Sequence, residues 1–184
     1  MASSDRNDPV QETDLAIPIG GQDHVQGPEG APLTVVEYGD YECPYCGRAL
    51  PIITRLRETL GDQMRLVFRH FPQNNVHPHA SIAAQAAEAA AAQGKFWAMH
   101  NMLFEHQDEL AEADLVQYAL RAGLEPYSFE ADLSSQRFAG KVLRDYEGGV
   151  VSGVKKTPTL FINGRKYPGL LEYDALFAAV EAVL

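Results

Sequence analysis

The sequence predicts an α/β fold with the element order strand, helix, strand, several helices, hairpin, helix. Three observations point there. Two short apolar runs, "LTVVEY" (33–38) and "MRLVFRHF" (64–71), flank a helically spaced series. A long stretch without any strand signal follows, and strand signals resume only at "TPTLFINGRKYPG" (157–169).

Each element has a local reason. Residues 1 to about 30 are polar and rich in Asp, Gln and Gly, so residues 1–22 are expected to form a flexible segment ahead of a domain spanning 23–184. "LTVVEY" is β-branched, short and bounded by Pro32 and Gly39, as a buried strand is. From Cys43 a helix fits. Pro44 is tolerated in a first turn, Leu50, Ile53, Leu56 and Leu60 recur at helical spacing, and Gly61 supplies a stop. Pro51 lies inside that helix, where a kink is expected. "MRLVFRHF" reads as the second strand, closed by Pro72. Next come the Ala-rich "SIAAQAAEAAAAQG" and then "KFWAMHNMLFEH", "ADLVQYALRAGL" and "FAGKVLRDYEGGVVSG", each with helical periodicity. Asn163-Gly164 is a strong two-residue hairpin turn between "TLFI" and "RKY". An amphipathic helix, 173–183, closes the chain.

Composition narrows the function classes. The 184 residues are 46% hydrophobic, enough for one globular domain with a real core. With 25 acidic against 15 basic residues the formal charge is -10, and no basic face is concentrated anywhere, which argues against nucleic acid as a partner. No run approaches the roughly 18 apolar residues of a membrane helix, and the N-terminus lacks the basic and apolar regions of an export signal. The chain as written therefore reads as cytoplasmic, without a membrane partner; had a signal been removed, the same chain would belong outside the cytoplasm.

Both cysteines lie in "GDYECPYCGRAL" (39–50), two residues apart. Three readings compete. A staple contributes little, because closing a loop of about four residues removes only about 2 kcal/mol of unfolded-state entropy. A structural zinc needs four ligands, and this pair supplies two. The next histidines, His70, His77 and His79, read as surface or strand residues, so no metal is expected. A redox couple fits the setting, since the free N–H groups and positive end of a helix favour thiolate over thiol. Cys43, at the helix start, is the nucleophile candidate. A thiol of pKa about 8.5 is roughly 3% ionised at pH 7, whereas one lowered to about 5 is about 99% ionised.

Taken together, "EYGDYECPYCG", "FRHFP", "TPTLFING" and the helical block between them resemble the DsbA-like thiol-disulfide oxidoreductases, from about His24 to the C-terminus. The resemblance implies a thioredoxin-like fold with an inserted helical subdomain at about 77–153. More than a hundred residues separate Cys46 from Pro158, far beyond the short link of the glutaredoxins, which share Cys-Pro-Tyr-Cys. It implies that Cys43 attacks, that Cys46 resolves, and that Pro158 is a cis proline facing the pair with Thr157 lending backbone to substrate. On residue type alone Pro158 would be a trans proline opening a strand. Glu37 matches a buried acid that assists proton transfer, its alternative being a carboxylate on an open strand face. Tyr45 and Tyr41 are expected to flank the dithiol and shape a peptide-binding surface, or else simply to pack. The implied activity is exchange with protein thiols or disulfides and an unidentified redox partner. It needs no cofactor beyond the redox-active Cys43–Cys46 disulfide. The alternatives are a glutathione-dependent reductase, drawing on Arg48, Lys155 and Lys156, and a non-catalytic protein-binding module.

Overall fold

The computed structural model describes residues 14–184. Among them, one five-stranded sheet has the order β1-β3-β2-β4-β5. Strands β2 (Leu33–Gly39) and β3 (Met64–His70) run parallel at its centre, joined by α1 (Pro44–Leu60). β4 (Thr159–Ile162) pairs antiparallel with β2, and β5 (Arg165–Lys166) with β4. The turn between these last two works as expected: Asn163 and Gly164 both take positive φ, 47° and 84°, the conformation a two-residue hairpin turn demands.

Two features of the N-terminal side carry no local sequence signal. β1 (His24–Gln26), which has too few residues to signal itself, adds antiparallel to β3 with His24 opposite Phe68. Residues 14–22, expected to be flexible, are tied down. Leu15 N–H donates to the Gly164 carbonyl, Ala16 N–H donates to Ser152 Oγ, and the Arg69 guanidinium donates to the Ile17 and Pro18 carbonyls. Arg69 also holds both oxygens of Asp23, at 2.7 and 2.9 Å. A buried guanidinium needs acceptors for its five donors; Ile17, Pro18 and Asp23 supply four and the Tyr38 hydroxyl the fifth. Residues 1–13 lie outside the described residues.

The sheet alternates its apolar contents between two faces, as strand geometry requires. Leu33, Val35, Leu66, Leu160 and Ile162 pack with Ile53 and Leu56 of α1 and with Leu176 and Val180 of α7 (Tyr173–Glu181). Val36, Tyr38, Val67 and Phe161 form the opposite layer with Phe71 and Val154.

Between β3 and β4 lies the helical insertion: α2 (Ala80–Ala92), α3 (Phe96–Glu105), α4 (Glu112–Arg121), α5 (Pro126–Ser134) and α6 (Ala139–Val151). Its helices run from Ala80 to Val151. Helix α5 is the one the sequence reading missed, because "PYSFEADLS" carries little amphipathic contrast. It is nucleated instead by Pro126 at its first position and by the Glu125 carboxylate, which accepts from Tyr127 and Ser128 N–H. α2 is buried nearly all round and packs on α3, α4, α5 and α6. Alanine makes that possible, since its small side chain lets several helices approach one axis while keeping the strongest helix propensity. No described helix is long and apolar enough to cross a membrane.

Candidate active site

The C-terminal end of β2 delivers residues 37–39 to the site, and α1 follows after the loop 40–43. Gly39 is obligatory there, because a Cβ would sit 2.5 Å from the Phe68 ring. Asp40 then shapes the loop. Its Oδ1 accepts from Glu42 N–H, its carbonyl accepts from Cys43 N–H, and its Oδ2 accepts from Gln73 N–H and pairs with His77 Nδ1 at 2.8 Å. Cys43 is the N-cap of α1 rather than its first residue. Pro44, which has no N–H to leave orphaned, takes the first helical position. No side chain caps the helix, and the N–H groups of Tyr45 and Cys46 favour the Cys43 anion, that of Cys46 also donating to the Cys43 carbonyl.

Both cysteines are reduced and buried, Cys43 3% exposed and Cys46 fully enclosed. The hydrogen bond from the Cys46 thiol is the largest influence on Cys43. With Thr157 and the helix N–H groups it outweighs burial and brings the Cys43 thiol down to about 5. Cys46 moves the opposite way: burial, the bond to Cys43 and the nearby Glu37 and Cys43 charges hold its thiol well above the usual range. The pair is thus split into one thiolate and one thiol, the division of labour that exchange requires.

Across from the dithiol, Cys43 Sγ lies 3.5 Å from the Thr157 carbonyl oxygen. The Thr157–Pro158 peptide is cis, as the resemblance implies and against the ordinary trans preference. Thr157 Oγ1 donates to Gln73 Oε1 at 3.2 Å, and Thr159 Oγ1 donates to the Lys156 carbonyl, which fixes the loop at both ends. Glu37 is 4% exposed beneath the motif, not on an open strand face. Burial, reinforced by the Cys43 charge, pushes its carboxyl up to about 8.

The two tyrosines part company. Tyr45 is 62% exposed beside the motif, with the Arg48 guanidinium 4.4 Å above its ring. Tyr41 is 1% exposed, its ring packed against Phe68 and Phe104 and its hydroxyl 3.0 Å from His100 Nδ1. It is therefore core, and the expectation that it shapes a peptide surface is corrected. It follows Asp40 on the strand side of the loop, facing the helical insertion.

Sequence reasoning missed Gln107 altogether. Its amide N–H₂ donates to the carbonyls of Tyr41 and Cys43, both at 2.8 Å, clamping the loop to the insertion. Nothing in its local sequence marks it, since the pairing spans 64 residues. The histidines expected at the surface also have partners: His77 on Asp40, and His79 on Glu42 at 3.1 Å. A separate cluster places His24 and His70 each 2.7 Å from Glu88 Oε1, with Lys141 Nζ at 3.8 Å from the same oxygen and bonded to Asp145. Within this cluster His70 Nδ1 is buried without a hydrogen-bond partner among the described residues.

A parallel strand pair with a dithiol at the start of the intervening helix and a cis proline opposite defines the class of thioredoxin-fold dithiol proteins. A family model described as thioredoxin matches residues 20–182, and the chain belongs to that family. Its structural neighbours are of the DsbA type. Oxidised BdbD from Bacillus subtilis aligns with a TM-score of 0.80 at 26% identity, covering 94% of this chain and 96% of that one, so the insertion is shared as well as the sheet. A thioredoxin-like oxidoreductase from Silicibacter pomeroyi gives 0.79 at 28% identity over 89% and 92%. The thiol-disulfide exchange protein alpha-DsbA2 from Wolbachia pipientis shares the fold, with 0.77 at 19% identity over 88% and 87%. Among curated relatives, a protein named Na(+)/H(+) antiporter NhaA 3 from Salinispora tropica is 50% identical over 91% of this chain. One named NhaA 1 from Salinispora arenicola is 49% identical over the same share. The chain spans 26% of the length of each.

Proposed function

We propose that this chain is a thiol-disulfide oxidoreductase acting on protein thiols and disulfides through Cys43 and Cys46. One observation carries the reading: a sulfur whose ionisation lies near 5, beside a protonated second sulfur and 3.5 Å from the Thr157 carbonyl. The DsbA-type neighbours support the same chemistry.

In the reducing direction the Cys43 thiolate attacks one sulfur of a substrate disulfide. A mixed disulfide forms and the other substrate sulfur leaves as thiolate. Cys46 then gives its proton to the Glu37 carboxylate and attacks Cys43 Sγ. The second substrate sulfur departs, and the Cys43–Cys46 disulfide holds the two electrons' worth of oxidation. Oxidation of a substrate dithiol is the same path reversed. The lowered Cys43 ionisation stabilises the reduced protein by about 3 kcal/mol at pH 7, worth about 60 mV of oxidising power in a two-electron couple. The favoured direction is therefore oxidation of substrate, if an acceptor renews the disulfide.

Two assays test this: reduction of insulin by the protein with dithiothreitol, and oxidative refolding of a reduced disulfide-containing protein by the oxidised form. Both are expected to proceed catalytically and to vanish in Cys43→Ser. Turnover retained by Cys43→Ser would overturn the reading.

A further inference from the structure

The exchange chemistry leaves the segment "HPH" (77–79) without a task. It lies between β3 and α2 and meets the dithiol loop in two pairs, His77 with Asp40 at 2.8 Å and His79 with Glu42 at 3.1 Å. Pro78 between the two imidazoles fixes its own backbone angle, and the two acids they meet are likewise two residues apart.

The pairs differ in surroundings. His79 and Glu42 are both reached by solvent, and pairs of that kind contribute little. The Asp40 side chain is fully enclosed and His77 is 17% exposed, so this bond forms where water competes poorly and an unpaired carboxyl is costly. Asp40 Oδ2 accepts from Gln73 N–H as well, so the His77 ring takes the Nδ1–H form and donates.

Asp40 is the hub of the dithiol loop. Its carbonyl accepts from Cys43 N–H, its Oδ1 accepts from Glu42 N–H, and its own N–H favours the Cys46 anion. Gln73 carries the connection to the opposite loop: its Oε1 accepts from Thr157 Oγ1 at 3.2 Å, and the Thr157 carbonyl lies 3.5 Å from Cys43 Sγ. The His77 backbone N–H also donates to the Gln73 carbonyl, at 2.9 Å. His77, Asp40 and Gln73 thus form a closed circuit that ties the dithiol loop to the cis-proline loop.

We propose that His77 is a positioning residue for thiol-disulfide exchange: its Nδ1–H holds Asp40 and Gln73 in the arrangement that seats the Thr157 carbonyl and the start of α1 around the Cys43 sulfur. This rests on the exchange activity proposed above and assigns it a residue that acts through Asp40. Without the imidazole, Asp40 Oδ2 keeps the Gln73 N–H as its donor, the carboxyl is drawn toward water, and the loop it anchors shifts off the sulfurs. Glu37 and Cys46 face the same sulfur and stay in place, so the loss falls on the hydrogen bonds that hold the Cys43 anion.

The test uses the full chain and the variants His77→Ala, His77→Asn, His79→Ala and Gln73→Ala. Two quantities are read on folded protein. One is the pH midpoint of Cys43 alkylation by iodoacetamide. The other is the equilibrium of the reduced protein with oxidised glutathione, in which the Cys43–Cys46 bond forms, the glutathione disulfide breaks, and two glutathione thiols take up the two electrons and two protons. His77→Ala is expected to raise the midpoint by about one pH unit and to move the equilibrium about tenfold toward the protein disulfide at pH 7, because the reduced form loses that much stabilisation of its thiolate. His77→Asn, whose amide nitrogen stands where Nδ1 stood, is expected to restore most of both. Gln73→Ala is expected to act in the same direction, and the double variant to fall short of the sum of the two, as members of one network do. His79→Ala is expected to leave both quantities in place. A lowered melting temperature in His77→Ala with midpoint and equilibrium unchanged, an equal shift in His79→Ala, or failure of His77→Asn to recover would overturn the assignment. Gln73→Ala keeps its backbone bond to Asp40 and reads the same circuit if His77→Ala proves unstable; the absence of a shift there would overturn it too. A wild-type midpoint near 8.5 to 9 would instead sink the proposed activity itself.

Discussion

At the scale of single residues the site is a contest between burial and hydrogen bonding, decided differently at each group. Cys43 is buried yet ionises near 5 because the Cys46 thiol, Thr157 and two helix N–H groups all stabilise its anion. Its ionisation is lowered, so its contribution to stability is present above the unfolded value near 9 and lost as pH falls through 5. Glu37 is buried with no such help, and its carboxyl rises to about 8. The sign is then reversed: its contribution is present below the unfolded value near 4.5 and lost as pH rises through 8. Glu37→Gln is expected to be more stable than the wild type at pH 8 and equal to it at pH 4, measured by thermal melting of the reduced protein. The same variant is expected to leave the first attack by Cys43 unchanged and to slow resolution by Cys46 about tenfold or more, since general-base assistance is worth about 10²–10⁴. Stopped-flow trapping of the mixed disulfide reads the two steps separately.

At the scale of elements the active-site loop is held by parts of the chain far from it in sequence. Gln107, at the end of the insertion's second helix, donates to two loop carbonyls. Gln107→Ala leaves both without that donor and is expected to cost about 1–3 kcal/mol in urea unfolding and to raise the pH midpoint of Cys43 alkylation. Helix α6 is set against β3 just as closely. A Cβ at Gly149 would lie 2.6 Å from the Phe71 ring and 3.1 Å from Tyr38. Gly149→Ala is therefore expected to cost about 1–3 kcal/mol by overpacking, seen as a lower melting temperature. These same elements show what the sequence discloses. β2, β3 and the β4–β5 hairpin are legible because short apolar runs bounded by Pro or Gly, and the Asn163-Gly164 turn, are local signals. Cys43 and Cys46 are legible because two thiols spaced for a helix start have few other uses. Gln107 and the burial of Tyr41 are not, because both depend on where the insertion docks, and docking is written in no window of neighbouring residues. Strand β1 is invisible for the same reason: "HVQ" becomes a strand only because the edge of β3 is open to it.

At the scale of the whole molecule, the sheet is closed on its N-terminal side by ion pairs rather than by apolar bulk. Arg69 and Asp23 are 3% and 8% exposed at their side chains. Removing one partner of such a pair strands the other, a loss of about 3–5 kcal/mol. Arg69→Met is expected to lose that much in urea unfolding and to free residues 14–22 to proteolysis. The Asp23 carboxyl is lowered by Arg69 and the Gly20 N–H against the opposing effect of burial, and that of Glu88 by His24 and His70 likewise. Both are depressed groups, so their stability is present above about 4 and lost as pH falls below it. Acid unfolding is therefore expected to begin below pH 4, later than the protonation of Cys43. That interval allows the central claim, that the fold turns Cys43 into a thiolate, to be measured on folded protein. The measurement is the rate of iodoacetamide modification of Cys43 between pH 4 and pH 10, with the modified residue located by mass spectrometry. A midpoint near pH 5, with Cys46 unreactive throughout, is the expected result. A midpoint near 8.5 to 9, that of an ordinary thiol, would contradict it.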